Sequence, residues 1–127
     1  MFRQILWPSA ILLVLVSTWS ACRQDQDNTA ERIVGRWELR EATRDGKPTE
    51  SLEALYFEFL PDGKMNTNMA GVPETAAYTV AKNTIQQRQS RIEADYIIEE
   101  LGDSIMVLSA SIRDYNFRFR LGKAHTN

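Results

Sequence analysis

An all-β domain, a small antiparallel up-and-down barrel of about eight strands, is the fold this sequence predicts. Apolar and polar residues alternate with a period of two in run after run from residue 34 onward, and turn signals separate the runs at short intervals. No stretch beyond residue 30 sustains apolar residues at helical spacing. A meander of short strands leaves two sheet edges, and closure into a barrel removes both.

The first element lies outside that domain. Ile5 to Trp19 carries no charge, Arg3 precedes it, and the small residues Ser20 and Ala21 lead directly into Cys22, the single cysteine. This reads as a secretory signal peptide over 1–21. The run is shorter than the ~20 apolar residues that cross a bilayer. Pro8 disturbs its first turn, and Ile11 to Val16 offers no polar face to a surface helix. Ser20-Ala21-Cys22 resembles the lipobox of bacterial lipoproteins of the Bacteroidetes type, with Trp19 where an aliphatic residue is usual. The resemblance implies that Cys22 becomes the acylated first residue of the mature protein. It also implies a place in the bacterial cell envelope, anchored to a membrane and expected at the outer one, on its periplasmic or surface face. One acyl chain binds reversibly and two hold stably, at about 0.8 kcal/mol per buried methylene. Residues 22–30 then form a polar lipidated tether, and 31–127 form the folded domain.

The whole chain carries 15 basic and 17 acidic residues; Arg3 is the only charge in the signal, so the mature chain has 14 and 17, a net of −3. So mild an imbalance gives no polyanion footprint, and no nucleic-acid partner is expected. Acylation of the lone thiol leaves no disulfide, so stability must come from packing in one small core.

Within the domain the strands follow in order. Val34–Glu41 opens it. Leu55, Phe57 and Phe59 mark the next strand, which Pro61-Asp62-Gly63 turns into Lys64–Met69 with an Asp-Gly hairpin signature. Ala77–Val80 and Thr84–Gln89 flank Lys82-Asn83, and Ile92–Glu100 and Ile105–Ala110 flank Gly102-Asp103. Ile92, Ala94, Tyr96 and Ile98 oppose Glu93, Asp95 and Glu99, with Ile97 the exception. Ile105 to Leu108 is apolar on both faces, as in a strand covered on both sides. Tyr115 to Leu121 alternates throughout and puts Tyr115, Phe117, Phe119 and Leu121 on one face.

Ile33-Val34-Gly35-Arg36-Trp37 begins the first strand with a Gly-x-Trp motif. A Tyr-Phe-Glu-Phe strand, Pro-Asp-Gly-Lys and Thr-Ala-Ala-Tyr-Thr-Val follow it. In this order, behind a lipoprotein signal, these residues resemble the bacterial lipocalin-like domain common among lipoproteins, over Ile33 to Lys123. The resemblance implies that Trp37 closes the barrel base and that an arginine near the last strand, Arg118 or Arg120, packs across its ring. Gly35 is expected where the backbone passes closely beneath that ring. Both arginines alternate away from the aromatic face, so two solvated side chains are the competing reading.

An eight-stranded barrel is either filled by its own side chains or holds one small molecule. The expected lining is Leu55, Phe57, Phe59, Met65, Met69, Ile105, Val107, Tyr115, Phe117 and Phe119. Tyr115 would serve as a polar handle and the methionines as adaptable walls. The resemblance implies a membrane-anchored binder of a small hydrophobic ligand. The alternative is an envelope interaction module with a filled barrel that contacts a protein or glycan, and the short strands favour filling. No enzyme is expected: His125, the single histidine, sits in the C-terminal tail, and no serine has a histidine partner in view. The stripe of Glu93, Asp95 and Glu99 reads as a solvated face rather than a metal or acid–base site, so neither metal nor cofactor is expected. Asn66, Thr67, Asn68 and the loop Ala70 to Glu74 are candidates for the rim of a barrel mouth. A monomer is expected.

Overall fold

The computed structural model describes residues 28–125, so the signal peptide and Cys22 lie outside the described residues. The chain enters through a one-turn helix, α1 (Thr29–Arg32), which straddles the expected boundary between tether (22–30) and domain (31–127). Nine strands follow: β1 (Gly35–Arg44), β2 (Lys47–Pro48), β3 (Tyr56–Phe59), β4 (Lys64–Thr67), β5 (Glu74–Ala81), β6 (Thr84–Arg88), β7 (Ala94–Leu101), β8 (Ile105–Ile112) and β9 (Tyr115–Lys123). All pairings are antiparallel. β1 pairs β3, strands β3 to β9 pair in sequence, and β9 pairs back onto β1, so eight strands close a barrel. β2 only pairs with the last two residues of β1, Thr43 and Arg44, which β9 also pairs. All eight strands expected from the alternation are present.

The turns carry the chemistry that tight hairpins need. Gly63 takes φ +86° and the Asp62 carboxylate accepts the Lys64 N–H at 3.1 Å, as the Asp-Gly signature anticipates. A second Asp-Gly pair went unread: Asp45 (φ +51°) and Gly46 (φ +82°) turn β1 into β2. Arg113 and Asp114, between β8 and β9, adopt φ of +52° and +70° without a glycine. Paired left-handed residues make the two-residue turn whose twist matches a right-twisted hairpin.

Two β-bulges explain where the alternation shifts phase. In β1 the register against β9 slips between Leu39 and Glu41. Trp37 and Leu39 face inward before the slip, and Ala42 faces inward after it. In β7 the slip falls between Ile98 and Glu100. Ala94, Tyr96 and Ile98 point inward before it, Leu101 after it, and Ile97 stands outside, 46% exposed. One extra residue reverses the facing of everything beyond it.

The base of the barrel is the end at which Gly35, Phe59, Leu101 and Lys123 lie. Ile33, fully buried, plugs it, and its carbonyl accepts the Trp37 indole N–H at 2.8 Å. The cation over Trp37 is Lys123, its Nζ 5.4 Å from the ring. Arg118 and Arg120 are both exposed on the outer wall, which corrects the expected arginine partner. The reason is parity: Phe119, Leu121 and Lys123 share one face of β9, and the two arginines share the other.

Gly35 has φ +129°, and a Cβ there would sit 3.0 Å from Lys123 Cε. Gly35→Ala therefore strains the backbone and displaces the lysine. It should cost about 1–3 kcal/mol, read as a lower urea midpoint at unchanged m-value.

Candidate functional site

Seven aromatic rings run in contact through the barrel. Tyr78 meets Phe59 edge-on at 5.1 Å; Phe59 stacks with Phe57 at 6.1 Å; Phe57 meets Tyr96 at 5.2 Å and Phe119 at 6.2 Å. Phe119 stacks on Phe117 at 5.6 Å, and Phe117 contacts Tyr115 at 6.3 Å. The expected lining residues Phe57, Phe59, Met65 and Phe119 are fully buried, and Leu55 and Met69 are buried with them, in one contiguous core. Ile85, Met106, Leu108 and Leu121 fill the remaining centre. The barrel axis is thus occupied by side chains, and the lining anticipated for a ligand is the core itself.

Three expected lining positions lie elsewhere. Tyr115 is 45% exposed at the upper end of the barrel, where the Arg44 guanidinium covers its ring at 4.9 Å. Val107 and Ile105 point outward; Met106, Leu108, Ala110 and Ile112 are the inward residues of β8. An uninterrupted apolar run carries no phase, so the facing of this strand was unreadable in sequence. Val107 is nonetheless 3% exposed, beneath Glu41, Thr43, Glu100, Arg118 and Arg120 on the outer wall.

A polar network beneath the upper rim was also missed. Gln87 is fully buried: its Oε1 accepts the Tyr96 hydroxyl at 2.8 Å, and its Nε2 donates to the Ile92 carbonyl at 2.8 Å and to Ser90 Oγ at 3.0 Å. These bonds use three of the four that the amide can make and pin the β6–β7 loop to the core. Gln87 is therefore a structural clasp, with its donors already committed. The signal was present in sequence, since an inward glutamine on an apolar face requires partners.

Burial raises the Tyr96 hydroxyl far above the ordinary tyrosine value of 10.0, and burial followed by the Asp62 charge raises Tyr78. In the unfolded chain each ionises near 10. Above that pH the unfolded state loses protons that the folded state keeps, so stability falls as pH rises; below it the contribution is complete. The unfolding midpoint should be flat as pH approaches about 10 and then fall. Tyr96→Phe should show a shallower fall, while losing about 1–3 kcal/mol at neutral pH through the orphaned Gln87 oxygen.

The candidate rim residues act as connectors. Asn68 accepts the Tyr56 N–H at 3.0 Å and donates to the Ala54 carbonyl at 2.8 Å, while Asn66 bridges Glu58 and Thr75 at 2.9 and 2.8 Å. Thr67, fully buried, donates to the Tyr56 carbonyl at 2.8 Å. The acidic stripe has separate partners too. Asp95 pairs with Arg88 at 2.8 Å, Glu99 accepts from Ser109 at 2.7 Å, and Glu93 accepts the Gln89 N–H at 3.2 Å. Among the described residues no three His, Cys, Asp or Glu gather as a metal site.

A sizeable concavity lies in the wall. The β7–β8 ladder runs from Leu101↔Met106 to Ile97↔Ser109 and stops. Both strands continue: Ala94–Tyr96 remain paired to β6, and Ala110–Ile112 to β9. The β8–β9 tip is held instead on the β1 side, where Asp45 and Asn116 exchange hydrogen bonds at 2.7 and 2.9 Å. Between the parted strands lies an open groove of about 760 Å³. Ala94, Ala110 and Phe117 supply its apolar lining; Arg88, Glu93, Asp95, Ser109, Ser111 and Asn116 are polar, and Ile97 adds an exposed apolar side chain. Its volume falls within the ~300–1,000 Å³ range of ligand sites.

No family model and no curated protein matches the chain. It is similar in structure to an uncharacterized protein from Bacteroides eggerthii DSM 20697, known from a crystal structure, with a TM-score of 0.54 and 19% identity. The match covers 72% of this chain and 99% of that one, and it extends to the fold alone.

Proposed function

We propose that this chain is a lipid-anchored protein of the bacterial cell envelope whose filled, lipocalin-like barrel is a rigid scaffold for binding at the β7–β8 groove. One observation carries the reading: the barrel centre is packed with side chains, while the wall parts at a seam that leaves a sizeable groove. Anchoring is supported by Cys22 behind its signal and by the position of α1. The chain enters at the base, where Arg32 donates to the Leu101 carbonyl at 2.9 Å. The groove lies toward the opposite end of β7 and β8, so it would face away from the membrane.

Two measurements test this. Cys22→Ser should move the exported protein from the membrane to the soluble fraction; variant protein that stays membrane-bound after processing refutes the anchor. A photo-crosslinking side chain at Ile97 should capture a discrete partner in intact cells, whereas the same group at Lys82, in the turn at the base, should not. Equal capture at both positions, or none at either, refutes a protein partner in the groove. The groove volume also suits a small amphipathic ligand. A stoichiometric small molecule co-purifying with envelope-derived protein, seen by native mass spectrometry, would replace the protein partner in this reading.

A further inference from the structure

Backbone N–H and C=O groups alternate sides along a strand. Ile98 donates its N–H to the Asn83 carbonyl on the β6 side at 2.7 Å, so Tyr96 and Ala94 face β6 as well, and Asp95 faces the gap. Ile105 accepts the Gly102 N–H on the β7 side at 2.8 Å, so Val107, Ser109 and Ser111 face that side in turn. Extending the Ile97↔Ser109 register by two residues sets Asp95 opposite Ser111. Each offers a main-chain donor and acceptor that no ladder uses. Among the described residues this is the seam where two neighbouring strands both persist while their mutual pairing ends.

We propose that an extended peptide segment of a protein partner adds as a strand in this gap, pairing its backbone with Asp95 and Ser111. The inference rests on the groove being the binding site. Main-chain groups in strand register are matched by another main chain, whereas a compact small molecule carries no such repeat. Side chains of the added strand that point inward would meet Ala94, Ala110 and Phe117, which calls for apolar residues at alternate positions. Those that point outward would lie among Asp95, Ser109 and Ser111. Arg88 and Asp95 neutralise each other, and Glu93 has no cation in contact among the described residues. A lysine or arginine on the outward face of the segment complements it.

The test uses the full-length protein and a set of synthetic heptapeptides that alternate apolar residues with threonine, one threonine being replaced by lysine. Hydrogen exchange should slow at least tenfold at Asp95 and Ser111 with the best peptide. The same peptide methylated on alternate backbone nitrogens, and so unable to donate, should bind at least tenfold more weakly. Ser111→Pro should abolish the protection without loosening β8 from β9, because the lost N–H faces the gap. Glu93→Gln should weaken the lysine peptides and leave lysine-free ones unchanged. Equal binding of methylated and unmethylated peptides overturns the proposal, as does unchanged exchange across the whole set. Slowed exchange at the seam that grows with protein concentration alone marks a second copy as occupant and also overturns it. If crosslinking at Ile97 persists while the peptides leave exchange unchanged, the groove stands and strand addition fails; loss of both removes both.

Discussion

Trp37→Ala is expected to destabilise the barrel by about 3–5 kcal/mol, at the upper end of single-site effects, because two losses coincide. The ring is fully buried at the base and its removal leaves a cavity beneath Lys123. The Ile33 carbonyl also loses its indole donor, in a place where Ile33 itself is inaccessible to water. Chemical denaturation of the purified protein measures the sum. Trp37→Phe separates the terms, since it keeps most of the apolar volume and removes only the N–H. A fully stable Trp37→Ala would refute the base as a packed plug.

Phe57→Ala should cost a similar ~3–5 kcal/mol by a different route. Phe57 touches Phe59, Tyr96 and Phe119, so its loss opens a hole at the barrel centre lined by aromatic rings. Such apolar holes stay dry and take up benzene or xenon. Benzene should therefore raise the melting temperature of Phe57→Ala and leave the unmutated protein unchanged. An equal benzene response in the unmutated protein would mean that the centre already has room for a ligand, and the filled-barrel reading would fail. The two variants thus probe one scaffold at its base and at its middle.

Legibility in the sequence followed the strength of local signals. Tyr115 to Leu121 and Leu55 to Phe59 alternate cleanly, and the structure buries Leu55, Phe57, Phe59, Phe119 and Leu121 as that alternation requires. Tyr115 shares the inward phase but lies at the strand end, where Arg44 and Phe117 cover it only in part and it stays 45% exposed. Ile105 to Leu108 had no phase to read, and the cross-strand register alone made Met106 and Leu108 the inward pair. Lys123 lay one inward step beyond Leu121, yet a lysine next to tryptophan carries no sequence signal to set it above two nearby arginines. The groove was illegible for a deeper reason. Ala94, Asp95 and Ser111 look like ordinary strand residues, and a ladder that ends early depends on where the two strands are carried by their other partners.

By itself the sequence determined an all-β domain, its eight strands, its main turns and most of the residues of its core. These follow from periodicity and turn chemistry, which act over a few residues. Only the tertiary structure decided that the centre is filled, that Lys123 covers Trp37, and that the wall parts between β7 and β8. Each of those depends on the phase slips in β1 and β7 and on which neighbour holds the β8–β9 tip. Bulges and long-range pairings set facing and register across the whole barrel, and a period of two in one strand holds no record of either.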